Sequence, residues 1–213
     1  MNKKVSIIIP AYNEGPRIGA VLESLQSLPE DWEIIVVSDG SSDDTVSVVK
    51  GFDGITVIDL PKNVGKAAAM YAGYQKSQGE YVMFVDADLV GLKSHHLGEL
   101  LKPILENKAD MSLATLRTSD NVQVTLSHIC FPHLSGQRAA KREIWQKIFD
   151  TIPDIKSLRY GIEVATKKIS SGMHWKIKII KWRGVSQVMK EQKEGLKEGL
   201  KSRAKMYKEM LRK

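Results

Sequence analysis

The stretch Val5-Ser6-Ile7-Ile8-Ile9-Pro10-Ala11-Tyr12-Asn13-Glu14 decides the fold. Its β-branched run, stopped by a proline, is the pattern of a strand buried on both faces. Arg17 to Leu28 follows with Ile18, Val21, Leu22, Leu25 and Leu28 at three- and four-residue spacing, which predicts a helix. The alternation then repeats. Glu33 to Val37 is a second buried strand, ending in Ser38-Asp39-Gly40-Ser41-Ser42, a turn that also supplies an N-cap for a helix over Asp43 to Lys50. Ile55 to Leu60 is a third strand, Asn63-Val64-Gly65-Lys66 leads into a small-residue helix reaching Gln75, and Tyr81 to Val85 is a fourth strand ending on Asp86.

This alternation predicts an α/β fold with a doubly wound, mixed but mainly parallel sheet and right-handed crossovers. Such sheets bind ligands beyond the carboxyl ends of their strands, near the point where strand order reverses. Here those ends carry Pro10 to Glu14, Ser38-Asp39-Gly40, Pro61-Lys62-Asn63 and Asp86-Ala87-Asp88. The pattern is looser beyond Asp88. It predicts a helix over Lys93–Asn107, strands over Asp110–Leu116 and Val122–Ile129, a helix over Gln137–Phe149, another over Tyr160–Ser170, and a late strand over His174–Trp182.

Composition bounds the rest. A 213-residue chain that is 42% hydrophobic can bury a core. One cysteine, Cys130, excludes an internal disulfide framework and suggests a reducing compartment; beside Phe131 in an apolar strand it reads as a packed small residue. No apolar run approaches the roughly 20 residues of a membrane span. The net charge of +7 lies entirely in Lys181–Lys213, with eleven Lys/Arg and four Glu. Residues 1–183 therefore read as one domain and 184–213 as a basic amphipathic helix, with Val185, Val188, Met189, Leu196, Leu200, Ala204, Tyr207 and Leu211 on one stripe. Such a helix suits an anionic membrane surface, or packs its stripe on its own domain. No aromatic platform or base-reading motif accompanies it, which argues against nucleic acid.

Two carboxylates one residue apart at a strand exit, Asp86 and Asp88, suit a hard cation such as Mg2+ or Mn2+, whose remaining sites go to water and substrate phosphates. Asp39 is placed to accept hydrogen bonds from a base or a ribose. Lys66 stands where a helix N-terminus already favours anions and adds a point charge for phosphate.

The first stretch resembles the opening signature of the family 2 glycosyltransferases. Val36 to Thr45 resembles their second motif, Asn63-Val64-Gly65-Lys66 with Ala67, Ala68 and Gly73 the third, and Asp86-Ala87-Asp88 the metal motif. The resemblance implies a GT-A fold and a metal-dependent hexosyltransferase taking a UDP- or GDP-hexose. By position, Pro10, Tyr12, Glu14 and Asp39 would line the nucleoside, Lys66 would face the donor, and Asp86 and Asp88 would serve the metal and the ribose-phosphate. Leu134 to Ala139 is similar to an acceptor-side segment of the polyprenyl-phosphate and glycerate-type relatives, which makes Arg138 a contact for an acceptor phosphate. Gly161-Ile162-Glu163 resembles another acceptor-side piece, with Glu163 a candidate base. Two departures stand out. Val90 occupies the place where some relatives have glutamine, and Gln187 stands where others supply a metal-binding histidine, leaving His174 as the candidate third ligand.

The absence of a clear second acidic motif favours a phosphate acceptor, a lipid phosphate or another phosphorylated group; the basic tail agrees with it and suggests a cytoplasmic protein, peripheral on the inner face of the cell membrane. Two other functions compete. A sugar-phosphate nucleotidylyltransferase wants a glycine-rich loop after the first strand, and Ala11-Tyr12-Asn13-Glu14 is not one. A non-catalytic nucleotide-sugar-binding protein has no need of both Asp86 and Asp88.

Overall fold

The computed structural model describes residues 4–119, 121–153 and 161–188. Its main sheet has seven strands: β1 (Val5–Ala11), β2 (Trp32–Ser38), β3 (Ile55–Asp59), β4 (Tyr81–Phe84), β6 (Met111–Arg117), β7 (Arg138–Lys141) and β8 (Ile177–Arg183). They lie in the order β3-β2-β1-β4-β7-β6-β8. All run parallel except β7, which is antiparallel to β4 and β6. Strand order reverses between β1 and β4, so the switch point falls between Pro10–Glu14 and Asp86–Asp88. A two-stranded ribbon of β5 (Leu89–Val90) and β9 (Ser186–Gln187) crosses that end.

Helices cover both faces. Alternate residues of β1 explain why: Val5, Ile7 and Ile9 enter one core with Ile18 and Leu22 of α1 (Gly15–Glu23) and Leu97 and Leu100 of α4 (Ser94–Leu105). Ile8 enters the other, with Met70 and Tyr74 of α3 (Lys66–Lys76) and Trp145 of α6 (Arg142–Thr151). A strand apolar on both faces is required by such a three-layer arrangement. The remaining helices are α2 (Thr45–Lys50), α5 (Val122–Cys130) and α7 (Ile162–Gly172).

Three expectations change. Val122–Ile129, read as a strand, is helix α5: the Asn121 side chain accepts the Val124 N–H at 3.1 Å, and the buried pair Val124 and His128 has helical spacing. Cys130 consequently ends an exposed helix instead of packing in a strand. The helix expected over Gln137–Phe149 begins only at Arg142, because Arg138–Lys141 is inserted between β4 and β6, where the fully buried Ala139 and Ala140 fit. Val185 does not open a helix: Ser186–Gln187 pairs with Leu89–Val90. Residues from 189 onward, and with them most of the expected basic helix, lie outside the described residues.

A histidine fixes the start of α4. The Nδ1 atom of His96 accepts the Lys93 N–H at 3.0 Å, and its ring lies 5.5 Å from that of Trp182. Burial, reinforced by the neighbouring His95, holds its pKa below 6.5. Protonation therefore favours the unfolded chain, so this contribution to stability is complete above about pH 6.5 and declines as pH falls below it. The urea midpoint should drop between about pH 7.5 and about pH 5.5, and His96→Gln should flatten that dependence. An unchanged slope would remove His96 from the account.

Candidate active site

The first three strand-end segments are fastened to one another by hydrogen bonds. The N–H groups of Asn13, Glu14 and Gly15 donate to Ser41 Oγ (3.1 Å), Thr45 Oγ1 (2.9 Å) and Asp43 Oδ2 (3.0 Å). In return the Ser42 N–H donates to Asn13 Oδ1 at 2.8 Å. Asp39 carries the chain of contacts onward: its carboxylate accepts the N–H of Val64 at 2.7 Å and of Gly65 at 2.9 Å. Gly40 has a φ of 67°, and a Cβ there would collide with the backbone of Lys62 and Asn63. Only glycine allows these two loops to approach so closely.

Lys66 opens α3 and joins this assembly to the fourth segment. Its Nζ lies 2.8 Å from Asp86 Oδ1 and 3.0 Å from Glu163 Oε1. Burial opposes the lysine's charge, but the two carboxylates more than offset it and raise its pKa. The other oxygen of Asp86 accepts from Gln137 Nε2 at 2.9 Å, and Gln137 is itself fully buried, its Oε1 accepting from Ser135 Oγ at 3.0 Å. Both oxygens of Asp86 are thus oriented. Gly136 makes this possible, since a Cβ there would overlap the Asp86 carboxylate.

Arg138 begins β7, opposite Phe84 at the end of β4. It is buried, and its guanidinium donates to the carbonyls of Ser135 (3.2 Å, from Nε) and His133 (3.1 Å). Burial lowers its pKa, against the raising influence of Glu163 and Asp86. The structure therefore brings together Lys66, Asp86, Arg138 and Glu163, two cations and two anions. Asp88 is half-buried just beyond, and its carbonyl accepts the Val188 N–H at 3.3 Å. Glu14 is paired with Arg17 at 2.9 Å, Pro10 lies at the end of β1, and Tyr12 stands 49% exposed above the same edge.

His174 is not brought to this site. It is exposed, in a turn with φ 55° that precedes β8, at the opposite end of the parallel strands from Asp86 and Asp88. Gln187 is nearer, paired with Leu89 directly after Asp88. Gly136, Gln137 and His128 also belong to this neighbourhood, though no sequence motif singled them out. Gln137 sits inside the acceptor-like segment, but its assignment to a helix hid it. His128 lies on the inner face of α5, within electrostatic reach of Asp86; burial pushes its pKa down to about 4, and among the described residues its Nδ1 has no hydrogen-bond partner.

Among the described residues no group of three or more His, Cys, Asp or Glu side chains forms a metal cage. The donor set nevertheless fits Mg2+ or Mn2+, which are bound through one or two carboxylates and completed by water and substrate phosphates. Asp88 is a half-buried carboxylate at this end of the sheet. Asp86, held by Lys66 and Gln137, is its neighbour.

The close approach at Gly136 predicts a site-specific effect. Gly136→Ala should cost about 1–3 kcal/mol in urea unfolding, because the added methyl must displace the Asp86 carboxylate. Gly98→Ala, on the exposed face of α4 with open space around it, should instead stabilise by about 0.4–1 kcal/mol. Equal effects of the two substitutions would contradict the Gly136–Asp86 constraint.

Comparisons with known proteins bear on the family and the fold. Residues 6–163 match the profile of glycosyl transferase family 2. Over 192 residues the chain is 30% identical to CsbB of Bacillus subtilis (strain 168), covering 86% of this chain and 56% of that protein. It is 26% identical over 205 residues to the dolichyl-phosphate beta-glucosyltransferase of Homo sapiens, covering 84% and 60%. The chain thus spans little more than half the length of these two curated relatives. Among solved structures, glucosyl-3-phosphoglycerate synthase from Mycobacterium tuberculosis, in complex with Mn2+, UDP and glucosyl-3-phosphoglycerate, superposes with a TM-score of 0.67 at 22% identity, over 94% of this chain and 80% of that one. The same fold therefore carries both chains, and the match to the family profile, spanning most of this sequence, shows that the chain belongs to glycosyl transferase family 2.

Proposed function

We propose that this chain is a metal-dependent hexosyltransferase that takes a UDP-hexose and transfers the sugar to a phosphorylated acceptor, a lipid phosphate. The observation that carries the reading is the braced Asp86 next to Asp88 at the switch point of the sheet. Two of the similar proteins are described with matching chemistry, one with UDP, Mn2+ and a phosphoglycerate product, the other acting on dolichyl phosphate.

Asp88, with Asp86 beside it, would hold the divalent ion, which would supply positive charge to the diphosphate as it leaves. The residues of the chain have separate tasks. Tyr12 and the loop braced by Asp39 would receive the nucleoside. Lys66 would supply a fixed cation beside the departing phosphates. In the transfer, an acceptor oxygen would bond to the anomeric carbon as its bond to the UDP oxygen breaks, and UDP would depart with that electron pair.

The surroundings of Glu163 support the acceptor class. This candidate base is buried and paired with Lys66, so it is poorly placed to take a proton from an alcohol. A phosphate acceptor is already anionic and needs no base. Arg138 would add positive charge behind such a phosphate.

Turnover of UDP-glucose, with polyprenyl phosphate or 3-phosphoglycerate as acceptor, should require Mn2+ or Mg2+ and stop in chelator. Asp88→Asn should lower kcat by about 100-fold or more with little change in thermal midpoint. Undiminished turnover in chelator would overturn the metal assignment, and transfer only to neutral alcohols would overturn the acceptor.

A further inference from the structure

Helix α5 has two unlike faces. Inward it places Val124 and His128, both buried. Outward it places Val122, Leu126 and Ile129, at 71%, 57% and 55% exposure and at helical spacing, and Phe131 continues the row at 57%. A surface helix of a water-facing domain ordinarily carries charge on its outer face. This one has none: from Asn121 to Ser135 there is no Asp, Glu, Lys or Arg, in a chain that is 27% charged.

We infer that the outer face of α5 docks on an anionic lipid bilayer and sets the active-site end of the sheet against it. Charge complementarity selects this occupant. Strand β6 packs against α5 and pairs with the edge strand β8, and α5 is tied to the end of β6 by the Thr118 N–H donating to Thr125 Oγ1 at 2.9 Å. At the active-site end of that edge Lys181 and Arg183 are exposed, in register with Thr115 and Arg117 of β6. An apolar ridge beside exposed cations is the composition that binds an anionic interface, the apolar side chains inserting while the cations meet headgroups. The inner face of the same helix presents His128 toward Asp86, so the ridge and the site are the two sides of one element.

The inference rests on the lipid-phosphate reading above, because it explains how an acceptor confined to a bilayer meets the site. It can fail independently of it.

Cys130 supplies a native probe: it is the chain's one cysteine, exposed between Ile129 and Phe131. The full chain, labelled there with an environment-sensitive fluorophore, is mixed with phosphatidylcholine vesicles of increasing phosphatidylglycerol content. Binding should rise with phosphatidylglycerol and fall with salt, with a blue shift of the probe and quenching by nitroxide lipids. Leu126→Ser/Ile129→Ser should reduce vesicle partition at least about tenfold while leaving UDP affinity with Mn2+ unchanged. Vesicle binding with the probe still in water, and undiminished in the double variant, would overturn the inference. So would a probe shift that needs only protein concentration and tracks dimer formation. Absence of vesicle binding alongside turnover of a short, water-soluble polyprenyl phosphate would overturn the docking face and keep the proposed acceptor. Vesicle binding through α5 without transfer to any phosphate acceptor would do the reverse.

Discussion

The ion pairs made by Lys66 hold the site in its observed arrangement. One ammonium group lies between Asp86, at the exit of β4, and Glu163, at the start of α7, and comes itself from the first turn of α3. Two carboxylates and a buried guanidinium gathered at one sheet end would be costly to assemble without compensating charge. Lys66 supplies it, and burial strengthens the coupling that burial also opposes. The consequence is positional. Asp86 is oriented from two sides, by Lys66 and by Gln137, so that Asp88, one residue removed, is presented at the mouth of the switch point.

The contacts before Lys66 serve the same end. Asp39 fixes Val64 and Gly65, which set the direction in which α3 departs and hence where the ammonium group points. The hydrogen bonds between Asn13–Gly15 and Ser41–Thr45 fix the loop that carries Asp39. Charge and backbone geometry thus pass from one strand end to the next, and a donor diphosphate would meet a surface already organised before it arrives.

The first half of the chain was legible because its strands are short, mostly apolar and stopped by a polar or proline-bearing turn, β1 and β4 being buried on both faces. That pattern placed Asp39, Asp86 and Asp88 at strand ends and Lys66 at the start of a helix, as the structure has them. The second half carried weaker punctuation. Val122-Gln123-Val124-Thr125-Leu126 alternates like a strand, yet an Asn121 cap and the inward pair Val124 and His128 make it a helix. Ala139 and Ala140 read as helix formers, but the narrow space between β4 and β6 selects them as strand residues. Those two reversals hid Gln137 and His128 from view. Gly136 was invisible for another reason: its role is to lack a side chain next to a carboxylate fifty positions away in the chain, a tertiary fact with no local signature.

The central claim is that this sheet end receives a metal and a nucleoside diphosphate together, with Asp88 as the protein's contribution to the ion. Electron paramagnetic resonance of Mn2+ measures this directly, since the free hexaaqua ion gives a sharp signal that binding broadens. With a few-carboxylate site completed by phosphates, protein alone should take up little Mn2+, UDP alone some, and the two together much more than their sum. A signal that falls only by the separate contributions of protein and UDP would contradict the account.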